Sequence, residues 1–431
     1  MTIPRVLLVS HTTGYQLRAF NDAAEQLGIE IVFATDRCHR LEDPWQDRAV
    51  AVRFHEPAAA VAAIVARAAS APIDGVLAVG DRPVPLAARA AAALGLPWHS
   101  VAGADASTDK RRSRSTLAAA GLPAPRFGVL PATAAIPSSE LRPPYVLKPV
   151  GLSGSRGVIR ADSAEQCVAA FERIRALLAR PAIRAARAGL EDEILVEEYI
   201  DGAEFAVEGV MTHGRLLTLA LFDKPDPLTG PFFEETIYAT PSVQPAEVQG
   251  RIVEHVRRAA TALGLRHGPV HAECRVTPAG DVYVLEVAAR PIGGLCARVL
   301  RFSDGARLET VLLRHAIGGD VSATRRDTSG AAVMMIPIPA RGMLRGISGE
   351  EAARGVPGVT EVTITAKIGQ LLEPLPEAGS YLGFIFASGD TARAAEAAVR
   401  EAHRRMVFAI TPEIAVAAAA ELAAGERRPA G

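Results

Sequence analysis

The first hundred residues alternate short, continuous apolar runs with helical patterns, and this alternation constrains the fold more than any other feature. The apolar runs are Arg5–Ser10, Glu30–Ala34 and Gly75–Val79, and helical patterns cover Arg18–Leu27 and Leu86–Leu94. Strands that are buried on both faces of a parallel sheet have this continuous apolar character, and helices connect them. The sequence therefore predicts an α/β fold with a parallel sheet in this part of the chain.

Length and charge narrow the remaining possibilities. A chain of 431 residues can form roughly two to four compact modules with substantial cores. Its 47 basic and 48 acidic side chains nearly cancel, so no charge surplus indicates nucleic acid or an anionic membrane as a partner. No apolar stretch reaches the roughly 18 uncharged residues that a membrane span needs.

The cysteines and the N-terminal sequence bear on the cellular compartment. Cys38, Cys167, Cys274 and Cys296 lie far apart and form no CxxC pair. This spacing is not that of a thiolate metal cluster or a disulfide scaffold, and it predicts reduced, buried thiols. The sequence MTIPRVLLVSHTTG has no cleavage-site pattern of a signal peptide. We therefore expect a cytoplasmic protein.

A lysine at the end of a predicted strand precedes a loop rich in glycine and serine. The strand is Tyr145–Pro149, and the loop has the sequence Gly-Leu-Ser-Gly-Ser-Arg-Gly from Gly151 to Gly157. Small residues allow backbone N–H groups to approach phosphate oxygens, and the ammonium of Lys148 supplies a positive charge. The pattern indicates a polyphosphate site, with an exposed lysine in a surface hairpin as the alternative.

Two acidic residues flank the turn in ILVEEYIDGAEFAVEG. Backbone groups near Glu198 and Ile200 are suited to binding adenine at a strand edge, and the carboxylate of Glu204 could accept bonds from ribose hydroxyls. Solvated acids beside a turn are the alternative.

The strongest pattern is a pair of carboxylates in apolar runs. Glu273 lies in HAEC and Glu286 in YVLEVAARPIGG, two predicted strands joined by a tight turn. An unpaired buried carboxylate is unfavourable, whereas two carboxylates that face the same way suit Mg²⁺ together with substrate phosphates. Arg290 follows and can neutralise a transferring phosphoryl group. The alternative is a structural pair of carboxylates bound by Arg275 and Arg290.

Taken in order, these segments resemble the ATP-grasp superfamily, and the resemblance runs from about residue 1 to residue 320. The C-terminal region is similar to the extra subdomain of L-amino-acid ligases and carnosine-synthase-like enzymes. The segments that carry the resemblance are Asp109-Lys110, YVLKP with its Gly/Ser loop, EEYIDGAE, HAEC and LEVAARPIGG. The implied domains are an N-terminal Rossmann-like (pre-ATP-grasp) parallel α/β domain at 1–105, a small (lid) ATP-grasp subdomain at 106–205, a large ATP-grasp subdomain with the metal site at 206–325, and a C-terminal α+β subdomain at 326–431.

The resemblance also implies roles for individual residues. ATP would be bound by Lys110, Lys148, Ser153, Gly154, Ser155, Gly157, Glu197, Glu198, Ile200 and Glu204, with Glu197, Glu198 and Ile200 at the adenine and Glu204 at the ribose. Glu273 and Glu286 would bind Mg²⁺, or Mn²⁺ in its place, and Lys148 and Arg290 would be catalytic. Many members have asparagine two residues after the second carboxylate, where this chain has Ala288, which implies a less complete second metal site.

The segment KPDPLTGPFFEETIYATPS resembles the substrate loop of L-amino-acid ligases. Glu235 would accept a bond from the α-ammonium of the substrate, and Tyr238 stands where those ligases often have histidine. Arg290 and the Gly293-Gly294 turn would lie near the carboxylate that is activated. The alternative is that Glu234 and Glu235 are solvated acids in a turn.

The resemblance thus implies a ligase that joins a small-molecule carboxylate to an amine through an acyl-phosphate, with ATP and Mg²⁺, an L-amino acid as one substrate, and a homodimeric assembly. One alternative is an ATP-dependent carboxylase or a purine-pathway ligase. A second, of another class, is a non-catalytic nucleotide-binding regulatory protein.

Overall fold

The computed structural model describes residues 3–11, 15–36, 49–134, 141–186, 189–190 and 192–412. Cys38 lies outside these residues, as does the end of the predicted C-terminal subdomain from 413 onward. The other three cysteines are free and buried, in agreement with the predicted reduced thiols. No helix in the described ranges has the length and apolarity needed to span a membrane.

The N-terminal unit is the predicted parallel sheet, with strands in the order β3-β2-β1-β4. In the central strand, Leu7 pairs with Val32 on one side and with Val76 on the other. Nearly every residue of three strands is buried, which explains why their sequences are continuously apolar. The elements are β1 (Arg5–Ser10), α1 (Tyr15–Leu27), β2 (Glu30–Thr35), β3 (Ala49–Ala51), α2 (Pro57–Ser70), β4 (Gly75–Val79) and α3 (Val84–Leu94). The sequence analysis missed β3 and α2.

Two helices and a small antiparallel sheet follow. The side chain of Asp109 accepts bonds from the backbone N–H groups of Arg111 and Arg112 and so caps the second helix at its start. The sheet has the order β5-β8-β6-β7 and packs against a long helix through an apolar core of its own. The elements are α4 (Val101–Thr108), α5 (Lys110–Ala119), β5 (Phe127–Pro131), β6 (Tyr145–Pro149), β7 (Ile159–Ala161), α6 (Ala164–Leu178), α7 (Pro181–Arg184) and β8 (Glu193–Glu198).

An antiparallel sheet of eight strands dominates the rest, in the order β13-β12-β9-β10-β11-β14-β18-β16. Strands on both sides of the predicted boundary at 325/326 belong to this sheet, and the domain boundaries stay predictions. A three-stranded sheet, β17-β15-β19, completes the C-terminal part. The elements are β9 (Ala203–Thr212), β10 (Arg215–Asp223), β11 (Ile237–Thr240), α8 (Ala246–Ala262), β12 (Gly268–Val276), β13 (Val282–Ala288), α9 (Leu308–Ala316), β14 (Gly330–Ile336), β15 (Gly342–Ser348), α10 (Glu350–Arg354), β16 (Val359–Ile364), β17 (Leu371–Leu372), β18 (Gly383–Gly389), α11 (Ala392–Arg404) and β19 (Val407–Thr411), with a short 3₁₀ helix at Cys296–Val299.

A shared core fixes the N-terminal sheet against the large sheet. One apolar cluster extends from Leu7 of β1 through Ala87 of α3 to Ile252 of α8 and Val270 of β12. As a result, the carboxyl end of β4, where Gly80 and Asp81 follow the strand, approaches the loop after β13. This contact brings the N-terminal sheet to the site described next.

Candidate active site

A cavity of about 470 Å³ lies between the small antiparallel sheet, the large sheet and the C-terminal region. This volume is within the range of small-molecule sites. Gly157 is not part of the wall; its backbone N–H donates to the carbonyl of Pro376 at 2.8 Å. The other predicted site residues all line the cavity: Lys110, Lys148, Ser153, Gly154, Ser155, Glu197, Glu198, Ile200, Glu204, Glu235, Tyr238, Glu273, Glu286, Arg290, Gly293 and Gly294.

Lys148 belongs to a buried charge network rather than to an exposed hairpin. Its side chain is 13% exposed, and its Nζ lies 2.6 Å from Glu197 Oε2. Arg114 Nε donates to the other oxygen of Glu197 at 2.6 Å. Burial favours the neutral acid, but Arg114 and Lys148 outweigh it and lower the pKa of Glu197 to about 2. The carboxylate of Glu197 therefore orients Lys148, a contact that the sequence analysis did not anticipate.

The glycine-rich loop adopts left-handed backbone conformations and is held from two directions. Gly154 and Ser155 have φ values of 65° and 56°, which are unusual for serine. Lys110 Nζ donates to the carbonyl of Leu152 at 2.5 Å. On the far side, a Cβ added to Gly379 would lie 2.9 Å from the carbonyl oxygen of Gly154. The loop is thus packed between α5 and the C-terminal region, over the cavity.

Lys224 lies among three carboxylates beneath the cavity. Its Nζ is 2.8 Å from Glu204 and 3.2 Å from Glu273, it also hydrogen-bonds to Glu235, and its side chain is 2% exposed. Burial disfavours the ammonium, but the three acids together hold the pKa of Lys224 well above its ordinary value. Glu204 also accepts from Arg275 Nε at 2.9 Å. Glu204 is thus not a solvated turn acid but part of a buried network.

Glu235 is likewise not a solvated acid. It accepts the bond from Lys224, and the hydroxyl of Tyr238 donates to it at 2.9 Å. Burial and the negative charge of Glu273 raise the pKa of Glu235 to about 7. The carboxylate predicted to receive a substrate ammonium therefore already has an ammonium partner from the chain itself.

Glu273 and Glu286 stand directly opposite one another on β12 and β13, beside a bulge in the register. Neither is bound by the predicted arginines, because Arg275 pairs with Glu204 and Arg290 with Asp81. The alternative of a structural pair with Arg275 and Arg290 is therefore wrong.

The donor atoms of the cavity fit a divalent cation. Carboxylate oxygens of Glu204, Glu235 and Glu273 all lie within 4.8 Å of one another, but the ammonium of Lys224 already binds all three. Among the described residues, Glu286 has no ion-pair partner within 4.0 Å. Two carboxylates on adjacent strands, one of them without a cation, provide the hard oxygen donors that Mg²⁺ prefers.

Arg290 is anchored by the N-terminal sheet. Its Nε and Nη2 donate to the two oxygens of Asp81 at 2.8 and 3.2 Å. Burial disfavours the guanidinium, but Asp81 outweighs it and raises the pKa of Arg290. The arginine is therefore a fixed positive charge at the cavity wall.

Three family models match the chain in sequence order. They are the ATP-grasp N-terminal domain at residues 21–98, the ATP-grasp domain at 141–299 and the L-amino acid ligase C-terminal domain 2 at 334–411. The chain belongs to the ATP-grasp superfamily. The predicted α/β fold, an ATP-grasp fold with a parallel N-terminal domain, is confirmed, and the sheets that follow that domain are antiparallel.

Relatives of this ATP-grasp chain include several ligases. The crystal structure of L-amino acid ligase from Bacillus licheniformis is similar with a TM-score of 0.80 and 27% identity, over 95% of this chain and 99% of that one. Alanine–anticapsin ligase of Bacillus subtilis is 30% identical over 48% of this chain and 46% of its own length. D-alanine–D-alanine ligase of Aromatoleum aromaticum is 34% identical over 42% of this chain and 56% of its own. The chain thus spans about half the length of these two curated relatives.

Similarity to more distant ATP-grasp structures shows the fold alone. Phosphoribosylglycinamide synthetase of Anaerococcus prevotii has a TM-score of 0.67 at 16% identity, and the biotin carboxylase of Campylobacter jejuni has 0.64 at 15%. These matches give no specific support to the purine-pathway or carboxylase alternatives.

The sequence analysis missed three charged residues of the ATP-grasp site: Asp81, Arg114 and Lys224. Lys224-Pro225 directly follows β10, and Lys148-Pro149 ends β6, so the repeated Lys-Pro at or just after a strand end was an available signal. Asp81 follows a buried parallel strand at its carboxyl end, where ligand sites of α/β sheets form. Arg114 had no such signal, because nothing in the run KRRSR distinguishes it from its neighbours.

Proposed function

We propose that this protein is an ATP- and Mg²⁺-dependent ligase that joins a carboxylate to an amine through an acyl-phosphate, with an L-amino acid as one substrate. The observation that carries the proposal is the convergence of Lys148, Arg290 and the Glu273–Glu286 pair on one cavity, with Lys224 behind the wall and bound to Glu273. The similarity to L-amino acid ligase over nearly the full length of both chains supports it. A homodimer and a cytoplasmic location stay predictions.

Each part of the site has a role in binding ATP. Lys110 and Lys148 would contact the phosphates beneath the glycine-rich loop, and Lys224 is a further cation near the same region. Glu273 and Glu286 would hold Mg²⁺. Bound Mg²⁺ neutralises phosphate charge. Positioning and charge neutralisation are the main contributions that a protein makes to phosphoryl transfer.

In the first step, an oxygen of the substrate carboxylate attacks the γ-phosphorus of ATP. The bond between that phosphorus and the bridging oxygen breaks, which gives an acyl-phosphate and ADP. Lys148 and Arg290 offset the negative charge that develops on the transferred group. Because Glu197 and Asp81 hold these two cations, little reorganisation is needed during the reaction.

In the second step, the amine attacks the carbonyl carbon, the bond from that carbon to the phosphate oxygen breaks, and phosphate leaves. The amine loses a proton as the amide forms. Water would hydrolyse the acyl-phosphate, so the loop that covers the cavity has to exclude it. Contacts of that loop with α5 and with the C-terminal region provide this cover.

The decisive experiment is phosphate release from Mg·ATP in the presence of amino acids, supplied singly and in pairs. We expect release that requires one particular pair, together with the matching amide by mass spectrometry. Glu286→Gln should reduce the rate at least about 100-fold, the scale of lost transition-state charge stabilisation.

Glu254→Gln, on the exposed surface of α8, is the matched control and should retain the wild-type rate. ATP binding without phosphate release for any pair would contradict an amino-acid ligase and favour the non-catalytic nucleotide binder.

A further inference from the structure

We propose that Asp81, at the carboxyl end of β4, is a positioning residue that holds Arg290 in its working orientation. The inference rests on the proposed ligase function and deepens it. It assigns to the N-terminal sheet an indirect part, through Arg290, in the chemistry of a cavity formed by the rest of the chain.

The geometry between Asp81 and Arg290 leaves the guanidinium one orientation. Two parallel bonds, from Nε at 2.8 Å and from Nη2 at 3.2 Å, join it to both carboxylate oxygens. Nη1 donates to the carbonyl of Pro291 at 3.0 Å. A guanidinium has five N–H groups in a rigid plane, so one remains on Nη1 and one on Nη2 for a ligand in the cavity.

Asp81 acts through other residues because it does not itself reach the ligand. Arg290 lines the cavity, whereas Asp81 lies behind it, outside the wall. Bidentate pairs of this type add geometric specificity as well as energy. A free arginine side chain has about 2 kcal/mol of rotamer entropy, and the pair restricts it before substrate binds.

The electrostatics agree with this pairing. Burial opposes ionisation of Asp81, but the guanidinium of Arg290 outweighs it, and the positive charge of Lys110 adds to the effect, so the pKa of Asp81 lies below its ordinary value. Asp81 is therefore ionised at neutral pH and pairs with Arg290 as a carboxylate.

The backbone before Asp81 explains how the strand presents it. Gly80 has a φ of 86°, a left-handed conformation that favours glycine. The chain turns there, directly after β4, and the carbonyl of Asp81 accepts from the N–H of Val84 at the start of α3. Asp81 thus projects from a rigid strand–helix junction rather than from an independent loop.

The test compares Asp81→Asn with Asp105→Asn, using the full chain and the amino-acid pair that supports phosphate release. Asp105 is the matched control, because it forms a similar two-bond pair with Arg89 at 2.8 and 2.9 Å, away from the cavity. Asp81→Asn should lower kcat about 10- to 100-fold, the cost of a misplaced catalytic group, and leave KM for ATP within about threefold. Asp105→Asn should lower neither.

Two further variants separate positioning from general damage. Asp81→Glu keeps the charge and should recover most of the lost kcat. The effects of Asp81→Asn and Arg290→Lys should be less than additive, because each removes the same two-bond contact. Unchanged kcat in Asp81→Asn, or strictly additive effects, would overturn the proposal.

Amide formation by the wild type keeps this inference distinct from the proposed function. If the wild type forms the amide and Asp81→Asn keeps the wild-type kcat, the positioning role is overturned and the ligase function stands. Absence of amide formation by the wild type would instead refute the ligase function.

Discussion

Two groups of buried ionisable side chains lie against the large sheet, and they avoid the cost of an unpaired buried charge in opposite ways. The first is the Lys224 cluster, in which one ammonium binds Glu204, Glu235 and Glu273. The second is the histidine stack, formed by the buried rings of His99, His267 and His315. The cluster keeps its charges and pairs them, whereas the stack is buried neutral.

The contacts of the histidine stack are those of uncharged rings. The rings of His267 and His315 stack with centroids 4.1 Å apart, and the exposed ring of His213 lies 5.0 Å from His267. His99 Nε2 lies 2.9 Å from the carbonyl of Pro269, and its Nδ1 accepts from the N–H of Arg266. These partners match the neutral ring with the proton on Nε2.

The Lys224 cluster and the histidine stack differ in the chemistry that they can support. Burial and the neighbouring charge of Glu273 keep the pKa of Glu235 near 7, and such a group can respond to a bound ligand. Neutral buried rings respond only to acid. Perturbed carboxylates and lysines at a cavity therefore mark the site, and the histidine stack is a packing element between units of the fold.

The largest expected effect comes from Lys224→Met, which removes the only cation that touches all three acids in the described part of the cluster. An unpaired buried charge typically costs about 3–5 kcal/mol, so urea unfolding at pH 7.5 should show a loss of that order. Phosphate release should also fall at least about 100-fold. Lys224→Met combined with Glu235→Gln should recover part of the stability. A single mutant as stable as the wild type would show that the cluster is not held by charge pairing.

An intermediate effect is expected from acid on the histidine stack. Burial lowers the pKa of His99 and of His315 to about 4, from 6.5. Between these two pKa values the unfolded chain binds more protons than the folded protein. The free energy of unfolding is therefore greatest above about pH 6.5 and falls as the pH falls toward 4. At pH 5 the free energy of unfolding should be lower by about 1–2 kcal/mol for each of these two rings.

The check is the free energy of unfolding at pH 7.5 and at pH 5, for the wild type and His315→Gln. Glutamine can keep the bond to Thr212, which His315 Nε2 makes at 2.9 Å, and it cannot titrate, so the variant should lose less stability on acidification. His255→Gln, on the exposed surface of α8, should behave as the wild type. Equal acid sensitivity in all three would contradict a buried neutral stack.

The smallest effect on stability is expected at an exposed ion pair that joins the small sheet unit to the C-terminal region. Arg173 makes two bonds to Glu377, at 2.6 and 2.9 Å, with its side chain 46% exposed. Glu377→Gln should change the free energy of unfolding by less than about 0.5 kcal/mol, because solvent screens such pairs.

The same substitution should loosen the cover of the cavity. The backbone carbonyl of Glu377 accepts from Arg156 of the loop. A looser loop would admit water, which hydrolyses the acyl-phosphate, so we expect more phosphate released per amide formed. Parallel assays of phosphate and of product measure this ratio. Glu254→Gln, which breaks an exposed pair with Arg257, is the control with no such increase. A large loss of stability without a change in this ratio would assign Glu377 to folding alone.

The sequence predicted the strands of the site well, because their signals are local. Tyr145–Pro149 and Gly75–Val79 have the predicted limits, and the strands that hold Glu273 and Glu286 differ only at their ends. Elements of the C-terminal region such as β14 and β15 were missed. The run Gly330–Ile336 is fully buried, but a short apolar run alone does not distinguish a strand from a buried helix.

The period of apolar residues was enough to predict the parallel N-terminal sheet, and the short motifs were enough to reveal the ATP-grasp resemblance. That resemblance implied many of the polar side chains of the cavity wall, but it wrongly included Gly157. The pairing of the charges became visible only in the folded structure: Lys148 with Glu197, Arg290 with Asp81, and Lys224 with three acids. Asp81 and Arg290 are 209 residues apart, and Coulomb attraction depends on distance in space and on burial. No pattern along the chain records either quantity, because both arise only when the sheets pack.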